Sequence, residues 1–464
     1  MRRMTRGGVA LLLVGALGGA GCAGASRAGA NRAPAREASP ARETETPLTA
    51  PPREPPSGEE RSGRDAFAQR ALETLRASGE TRAIHYDPDA FLLRIGGDDG
   101  TASTVFLSNF FAEYTALPEA QRPEVLARLT RMRTAPALPA TFAEARPHVL
   151  PVVRGRTFFE QLWLVVKGSP EAPPVSSKPL GGALAVGVAF DGPDTLRYLG
   201  PEELRRWGVD FEQVLAAALE NLRQRSPEPL QPLAPGTCQA PWNDNYAASR
   251  LLLDEVVRRC PVRGQPVVLV PHRDLLLITG SEDEDGLRRI SASALQAIMA
   301  PHALDGRALR LTPEGWVPFM PERLSDAWGD FRKLELFTWA RDYTEQGERM
   351  EKYYQGRGER PFVATYTPYQ DERGHSVSYA VWLKDVDTLL PRTDVLFLVD
   401  PALGEDAPPV AVARWDEVMK QSGALFVPVP GFYPVRYRVR GFPSPEQLTR
   451  WKSDPGNLFE EGEP

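Results

Sequence analysis

The sequence predicts an α+β (mixed α/β) protein with two folded domains. Three observations carry this reading. Apolar residues recur at three- and four-residue intervals in some segments and gather into short, branched runs in others. The two kinds of segment interleave along the chain, as expected for helices packed on sheets. With 464 residues, 42% of them hydrophobic and 9% aromatic, there is apolar side chain enough for one large or two medium cores.

Residues 1–22 read as a lipoprotein signal peptide: Arg2, Arg3 and Arg6 form a basic start, Val9 to Leu17 an apolar centre, and Gly19-Ala20-Gly21 a small-residue site before Cys22. The apolar run is too short to cross a bilayer. This order resembles the lipobox of bacterial lipoproteins, in which the cysteine thiol is acylated and becomes the mature N-terminus. Cys22 is then the lipidation site and the membrane a partner. The chain is exported and lipid-anchored in the bacterial cell envelope, at the outer membrane or the periplasmic face. The other reading is a cleaved signal peptide followed by an incidental cysteine.

Residues 23–63 are rich in Ala, Pro, Arg, Ser and Glu and nearly free of large apolar side chains, so burial cannot offset the entropy of ordering them. They are expected to be a disordered tether, reaching up to ~120 Å at ~3 Å per residue.

The first folded domain is expected over residues 64–320. Asp65 is placed to cap a helix whose Phe67, Ala71, Leu72 and Leu75 share a face. Short strands follow at Ala83 to Tyr86, Phe91 to Ile95 and Ser103 to Phe106, then helices through Phe110 to Ala116 and Pro123 to Arg133. Val149 to Arg154, Gln161 to Val166 and Leu184 to Phe190 read as further strands, and Phe211 to Arg223 as an amphipathic helix.

The clearest pattern lies between Asn243 and Gly280. Asn243, Asp244 and Asn245 are side chains that accept from the open N–H groups of a helix start, and Tyr246, Leu253, Val256, Val257 and Cys260 then recur on one helical face. Arg263-Gly264 ends the pattern. Val267 to Val270 and Leu275 to Thr279 read as strands covered on both faces, joined by the tight turn Pro271-His272-Arg273-Asp274. A helix around Leu287 to Ile298 and a hairpin across Thr312 to Gly315 complete the domain.

Residues 321–355 are helical and strongly charged, a connector. Residues 356–464 form a smaller C-terminal α+β domain, with strands near Phe362 to Tyr366, Ser376 to Leu383, Val395 to Val399, Ala424 to Val429 and Tyr433 to Val439, and a helix around Trp415 to Gln421. The acidic tail from Asp454 is expected to fray.

The net charge is −6, and only seven of the 55 basic residues are lysines. The arginines are interspersed with 61 acidic residues and build no single-sign block, which argues against a nucleic-acid partner. Beside Cys22, only Cys238 and Cys260 remain. In an oxidising compartment they can pair, closing a loop worth ~3 kcal/mol in the chain-entropy treatment. Alternatively Cys260 is a small apolar residue on the helix face.

Asn245-Tyr246 with Ala248-Ser249-Arg250, and Val270-Pro271-His272-Arg273-Asp274, resemble the helix start and hairpin turn of the uncharacterised family typified by YtpQ. Pro151-Val152-Val153-Arg154 and Asn221-Leu222-Arg223 are weaker echoes. The resemblance covers roughly residues 65–320 and implies a YtpQ-like domain of unknown function, with an architecture and no established activity.

Candidate chemistry centres on His272, Asp274 and Arg250. A histidine and a carboxylate on one turn can act as a base and its orienting group, with the guanidinium in support; equally, Asp274 can accept backbone N–H groups and His272 can bond locally, stabilising the turn. Tyr246 and Arg250, one helical turn apart, are expected to pair with Asp274 as a polar wall. No G-x-S-x-G elbow, H-E-x-x-H or C-x-x-C occurs, and Glu282 to Gly286 lacks the ligand alternation of a calcium loop, so no metal site and no cofactor is predicted. In the C-terminal domain, Pro428 to Pro434 is a stiff loop whose Phe432 and Tyr433, with Tyr246 in the first domain, are candidate binding-surface residues. These features favour a non-catalytic, lipid-anchored binding or scaffold protein with an envelope protein or cell-wall partner. A hydrolase with His272 as general base, supported by Asp274 and Arg250, is the alternative.

Overall fold

The computed structural model of the chain describes residues 58–88, 91–96, 103–133, 138–165, 173–192, 196–299, 303–370, 375–404 and 407–451. The signal segment with Cys22, most of the tether and the acidic tail lie outside them. The described residues are mixed α/β, with twelve α-helices and five sheets.

The chain first builds a small layer of its own. Helix α1 (Gly58–Ala77) packs with α2 (Ser108–Ala116) and α3 (Arg122–Arg133) on an antiparallel sheet of β1 (Ile84–Asp87), β2 (Leu92–Ile95) and β3 (Ser103–Phe106). Phe67, Ala71 and Leu75 are buried with Leu93, Val105 and Leu129, as their spacing requires. Asp65 lies inside α1 instead of capping it, and its Oδ1 accepts the Tyr86 hydroxyl at 2.8 Å.

A second sheet joins β4 (Val149–Gly155), β5 (Ser177–Leu180), β6 (Leu184–Asp191) and β7 (Leu196–Tyr198), all antiparallel around β6. Here one expectation fails. Of the segment read as a strand at Gln161 to Val166, Gln161 to Val165 belong to helix α5 (Arg156–Val165), and Val166 lies outside the described residues. Phe159, Leu162 and Trp163 are buried at helical intervals, and a window opening at Gln161 sees too little of that period. After the short helices α4 (Phe142–Ala145) and α6 (Pro201–Trp207), helix α7 (Phe211–Gln224) follows expectation. It is capped by Asp210, whose Oδ1 accepts from Gln213 N at 2.8 Å, and it buries Val214, Ala218 and Leu222.

The third sheet runs in the order β13 (Gly315–Phe319), β12 (Ala303–Thr312), β10 (Pro266–His272), β11 (Leu275–Gly280), β9 (Thr237–Gln239) and β8 (Gln231–Ala234). Strand β10 is covered on both faces, as its unbroken apolar run demands. Val268 and Val270 enter the large core shared with β4, β6 and α7. Val267 and Leu269 point the other way, into a core closed by Leu287, Ile290 and Ala294 of α9 (Glu284–Ala297).

Helix α10 (Trp328–Gln355), expected as a connector, is packed on both sides. Phe331 and Leu334 join the core under α9. At Gly306 of β12 the approach leaves no room for a side chain: a Cβ there would stand 2.8 Å from Thr338 Oγ1 and 3.0 Å from the Leu334 carbonyl oxygen. The opposite side carries the C-terminal sheets. One orders β14 (Phe362–Val363), β17 (Thr388–Pro391), β21 (Arg436–Val439) and β20 (Val427–Pro428); the other orders β15 (Thr367–Gln370), β16 (Ser376–Leu383), β18 (Val395–Val399) and β19 (Ala411–Arg414). Helices α11 (Trp415–Ser422) and α12 (Pro445–Arg450) complete that part, whose core holds Trp382, Leu398, Trp415 and Phe426.

Candidate functional site

The segment between β9 and β10 departs from the continuous helix expected from Tyr246 to Cys260. It forms a 3-10 turn at Ala248–Leu252 and a single α-helical turn, α8 (Asp254–Val257), separated by Leu253 at φ −103°, ψ 88°. Arg250, carried by the 3-10 turn, is fully buried, and its guanidinium meets a fixed set of acceptors. Nη1 and Nη2 donate to Asp244 Oδ1 and Oδ2 at 2.9 and 2.8 Å, Nη2 also to the Arg225 carbonyl at 2.8 Å, and Nε to Ser226 Oγ at 2.8 Å. The guanidinium carbon lies 4.1 Å from the centre of the Trp242 ring.

These bonds continue into a closed ring. Tyr246 N donates to Asp244 Oδ1 at 3.0 Å, and its hydroxyl donates to Asp191 Oδ1 at 2.8 Å. Asp191 Oδ2 accepts from Arg225 Nη1 at 2.8 Å, and Arg225 returns through its carbonyl to Arg250. The ring therefore ties the end of α7, the end of β6 and the Asn243–Asn245 loop to one buried guanidinium. Burial, and then the Asp191 carboxylate, push the Tyr246 hydroxyl well above the usual tyrosine range. Tyr246 is 3% exposed, so it is an interior tie and not the surface residue expected. Nor do Tyr246 and Arg250 pair with Asp274: their carboxylate partners are Asp191 and Asp244.

Cys238 and Cys260 are bonded, with Cα atoms 6.0 Å apart, and the loop they close contains Trp242, Asp244, Tyr246 and Arg250.

Asp274 serves the neighbouring turn. Its Oδ1 accepts from Asn245 N at 2.7 Å and its Oδ2 from Arg273 Nε at 3.1 Å. His272 Nδ1 accepts the Asp274 backbone N–H at 3.1 Å and lies 3.9 Å from Asp274 Oδ2. A base oriented by a carboxylate uses the reverse arrangement, with Nδ1–H donating to the carboxylate. The Ala248 N–H donates to the Arg273 carbonyl at 3.0 Å, so the ring and the turn are adjacent.

The aromatic loop of the C-terminal part is also internal. Phe432 and Tyr433 are 8% and 9% exposed, which corrects their expected place on a binding surface. Phe432 packs against Trp163 of α5 and Tyr353 of α10, while Tyr433 stacks under Arg156 at 4.3 Å. Gln161 Nε2 donates to the Tyr433 carbonyl at 2.6 Å. A stiff aromatic segment serves equally well to fill a cleft between elements, and no local pattern distinguishes the two uses.

Sequence reasoning missed a second buried charge cluster. Arg307 on β12 donates to both Asp305 oxygens, at 2.9 and 2.7 Å, and to Asp342 Oδ2 at 2.7 Å, while lying 4.0 Å from the Trp339 ring centre. Burial pushes the Asp342 carboxyl above its ordinary value, against the pull of Arg307 and Arg341. Arg436 of β21 is likewise wholly buried, against carbonyls of Tyr343, Ala364 and Leu389 and the Gln346 amide oxygen; burial lowers its pKa to about 10. The alternation of Asp305 and Arg307 on one strand was the available signal for the first cluster.

Among the described residues, no three His, Cys, Asp or Glu side chains are grouped to hold a metal ion, and no helix is long and apolar enough to cross a membrane. Two shallow hollows, of about 460 Å³ along Asp285–Ser293 and about 410 Å³ beside Lys384 and Phe442, include no residue of the ring or of the His272 turn.

The geometry describes a mixed α/β protein whose most distinctive polar residues are internal ties. Comparison with known proteins places it beside an uncharacterised family. A UPF0354 protein of Bacillus cytotoxicus is 27% identical over 226 residues, covering 47% of this chain and 79% of that protein. UPF0354 proteins of Bacillus cereus and Bacillus thuringiensis show the same identity and the same coverage. No family model matches the chain, and no solved structure matches it.

Proposed function

We propose that the chain is an exported, lipid-anchored envelope protein that binds a partner without catalysis, and that it is a member of the family typified by YtpQ. The observation that carries the non-catalytic reading is the direction of the hydrogen bond at His272. Its Nδ1 accepts from the backbone of Asp274, whose oxygens serve Asn245 and Arg273, and Arg250 is committed to Asp244. The three residues suited to hydrolysis by type are thus occupied in holding a turn and a loop. Export is supported by the basic, apolar and small-residue order ahead of Cys22 and by the Cys238–Cys260 bond, which suits an oxidising compartment.

In this reading Cys22 carries the lipid, residues 23–63 hold the folded part clear of the membrane, and residues 64–320, 321–355 and 356–464 form the family-like domain, the helical spine and the C-terminal domain. The partner is an envelope protein or cell-wall material. Replacing Cys22 by Ser tests the anchor: membrane association and the mature mass should both change, and unchanged values refute lipidation. Pull-downs from solubilised envelopes test binding. The same partner should be retained by His272→Ala and Asp274→Ala proteins. Hydrolysis of an ester, phosphate or glycan substrate that disappears in His272→Ala would overturn the non-catalytic reading.

A further inference from the structure

We infer that the Cys238–Cys260 disulfide is the clasp on which the Arg250 ring depends, so that the ring is complete only in the oxidised chain. The bonded sulfurs stand at the two ends of the segment that supplies Trp242, Asp244, Tyr246 and Arg250. Between them the backbone has little order of its own: a 3-10 turn of five residues and an α-helical turn of four. Elements this short do not hold themselves in water, because each nucleation fixes several dihedrals for one hydrogen bond. The segment's backbone links to the neighbouring strands are few, among them Ala240 N to the Leu276 carbonyl at 2.9 Å and Ala248 N to the Arg273 carbonyl at 3.0 Å. Order therefore rests on side-chain contacts: Trp242, Ala247, Leu251 and Val256 enter the large core, Ser249 Oγ accepts from Val153 N at 3.1 Å, the disulfide adds the covalent tie and the Arg250 ring the tie to a buried charge.

The two reinforce each other. Opening the loop in the reduced chain regains conformational freedom, and the Arg250 guanidinium must then exchange four protein acceptors for water. Cys238 and Cys260 are 5% and 2% exposed, so a reductant reaches the bond only when this segment opens. Reduction then traps the opened segment, which without the bond does not re-form the ring.

The bond must also be made. Resting on the exported reading above, the oxidant is a protein disulfide of the exchange-catalysing class. One cysteine thiolate attacks a sulfur of the oxidant's disulfide, forming a mixed disulfide and releasing one oxidant thiol. The second cysteine then attacks the first cysteine's sulfur and displaces the other oxidant thiol. The chain loses two electrons and two protons and the oxidant is reduced to its dithiol. Acylation of Cys22 would leave Cys238 and Cys260 as the single available pair.

Hydrogen exchange on the purified full chain, before and after reduction by a water-soluble phosphine, tests the coupling independently of export. Reduced protein, verified by counting two titratable thiols, should exchange the amides of Ala248, Ser249 and Arg250 at least about tenfold faster, while Val268 and Ile278 keep their protection. Unchanged protection at Ala248 to Arg250 with both thiols free overturns the inference. Loss of protection at Val268 and Ile278 as well would also overturn it, because the clasp would then hold the whole fold and not the ring. A Cys238→Ala protein, should it fold, must show the reduced pattern without reductant. In cells lacking the periplasmic dithiol oxidant, maleimide labelling should add two tags to the folded part; full oxidation there refutes the exchange step while leaving the anchor test at Cys22 unaffected.

Discussion

Arg250 and Asp244 meet through two parallel bonds, Nη1 to Oδ1 at 2.9 Å and Nη2 to Oδ2 at 2.8 Å, with the guanidinium wholly buried and the carboxylate about a third exposed. The charge is compensated at one edge by solvent-reachable oxygen and elsewhere by Ser226, the Arg225 carbonyl and the Trp242 ring. An arginine suits this position because its planar fork matches a carboxylate and still has donors to spare.

Removing one partner of such a pair strands the other. Asp244→Ala should lower unfolding free energy by about 2–4 kcal/mol, discounted from the fully buried case because the carboxylate is partly solvated. Arg250→Lys should recover little, since a point charge cannot reach four acceptors. Urea unfolding of both variants measures this, and an Asp244→Ala protein within about 0.5 kcal/mol of wild type would contradict the role given to the ring.

Tyr246→Phe removes only the bond to Asp191. A hydrogen bond to a charged group contributes about 1.5–3 kcal/mol, and a loss in that range is expected by thermal or urea unfolding.

At Gly306, alanine should destabilise by about 1–3 kcal/mol, because its Cβ meets Thr338 Oγ1 at 2.8 Å and the Leu334 carbonyl at 3.0 Å. Pairing it with Thr338→Ala should recover only part of the loss, since the Leu334 backbone remains; full recovery in the double variant would mean that the backbone contact is harmless.

Phe432→Ala opens a cavity between α5 and α10 and should cost about 3–5 kcal/mol, the usual range for a buried aromatic. If Phe432 were instead a partner-facing residue, stability would stay within about 0.5 kcal/mol of wild type while partner capture fell.

The pH dependence should carry the mark of Asp342. Its folded carboxyl titrates above the ordinary value of 3.8 because burial disfavours its charged form. Folding therefore binds this proton more tightly than the unfolded chain does. The group's cost is fully present above its folded pKa and fades as pH falls through that value toward 3.8. Against the general acid destabilisation, Asp342→Asn should remove this favourable acid-side contribution, seen as a steeper net loss of stability on acidification than in wild type. An identical slope in the two proteins would exclude the effect.

Much of this architecture was legible locally. The apolar run Val267 to Val270 announced a strand buried on both faces, and the spacing of Val214, Ala218 and Leu222 announced α7. Gln161 to Val166 was misread because the helical period of α5 shows only when Phe159, which precedes that window, is counted with Leu162 and Trp163. The site was less legible. Asp244 is recognisable as a residue that accepts from a nearby backbone N–H, and it does so from Tyr246, but nothing in the spacing says that the same carboxylate holds Arg250.

The sequence by itself determined the alternation of helices and strands, the turn chemistry and the cysteine pair available to close a loop, because periodicity, glycine and proline act within a few residues of themselves. The tertiary structure alone decided which polar groups meet: Arg250 with Asp244 and not Asp274, Tyr246 with Asp191, Phe432 and Tyr433 with α5 and α10. A buried guanidinium or hydroxyl must be satisfied by whatever acceptors folding brings to it, and for Arg436 such an acceptor lies 93 residues away along the chain, where no local pattern reaches.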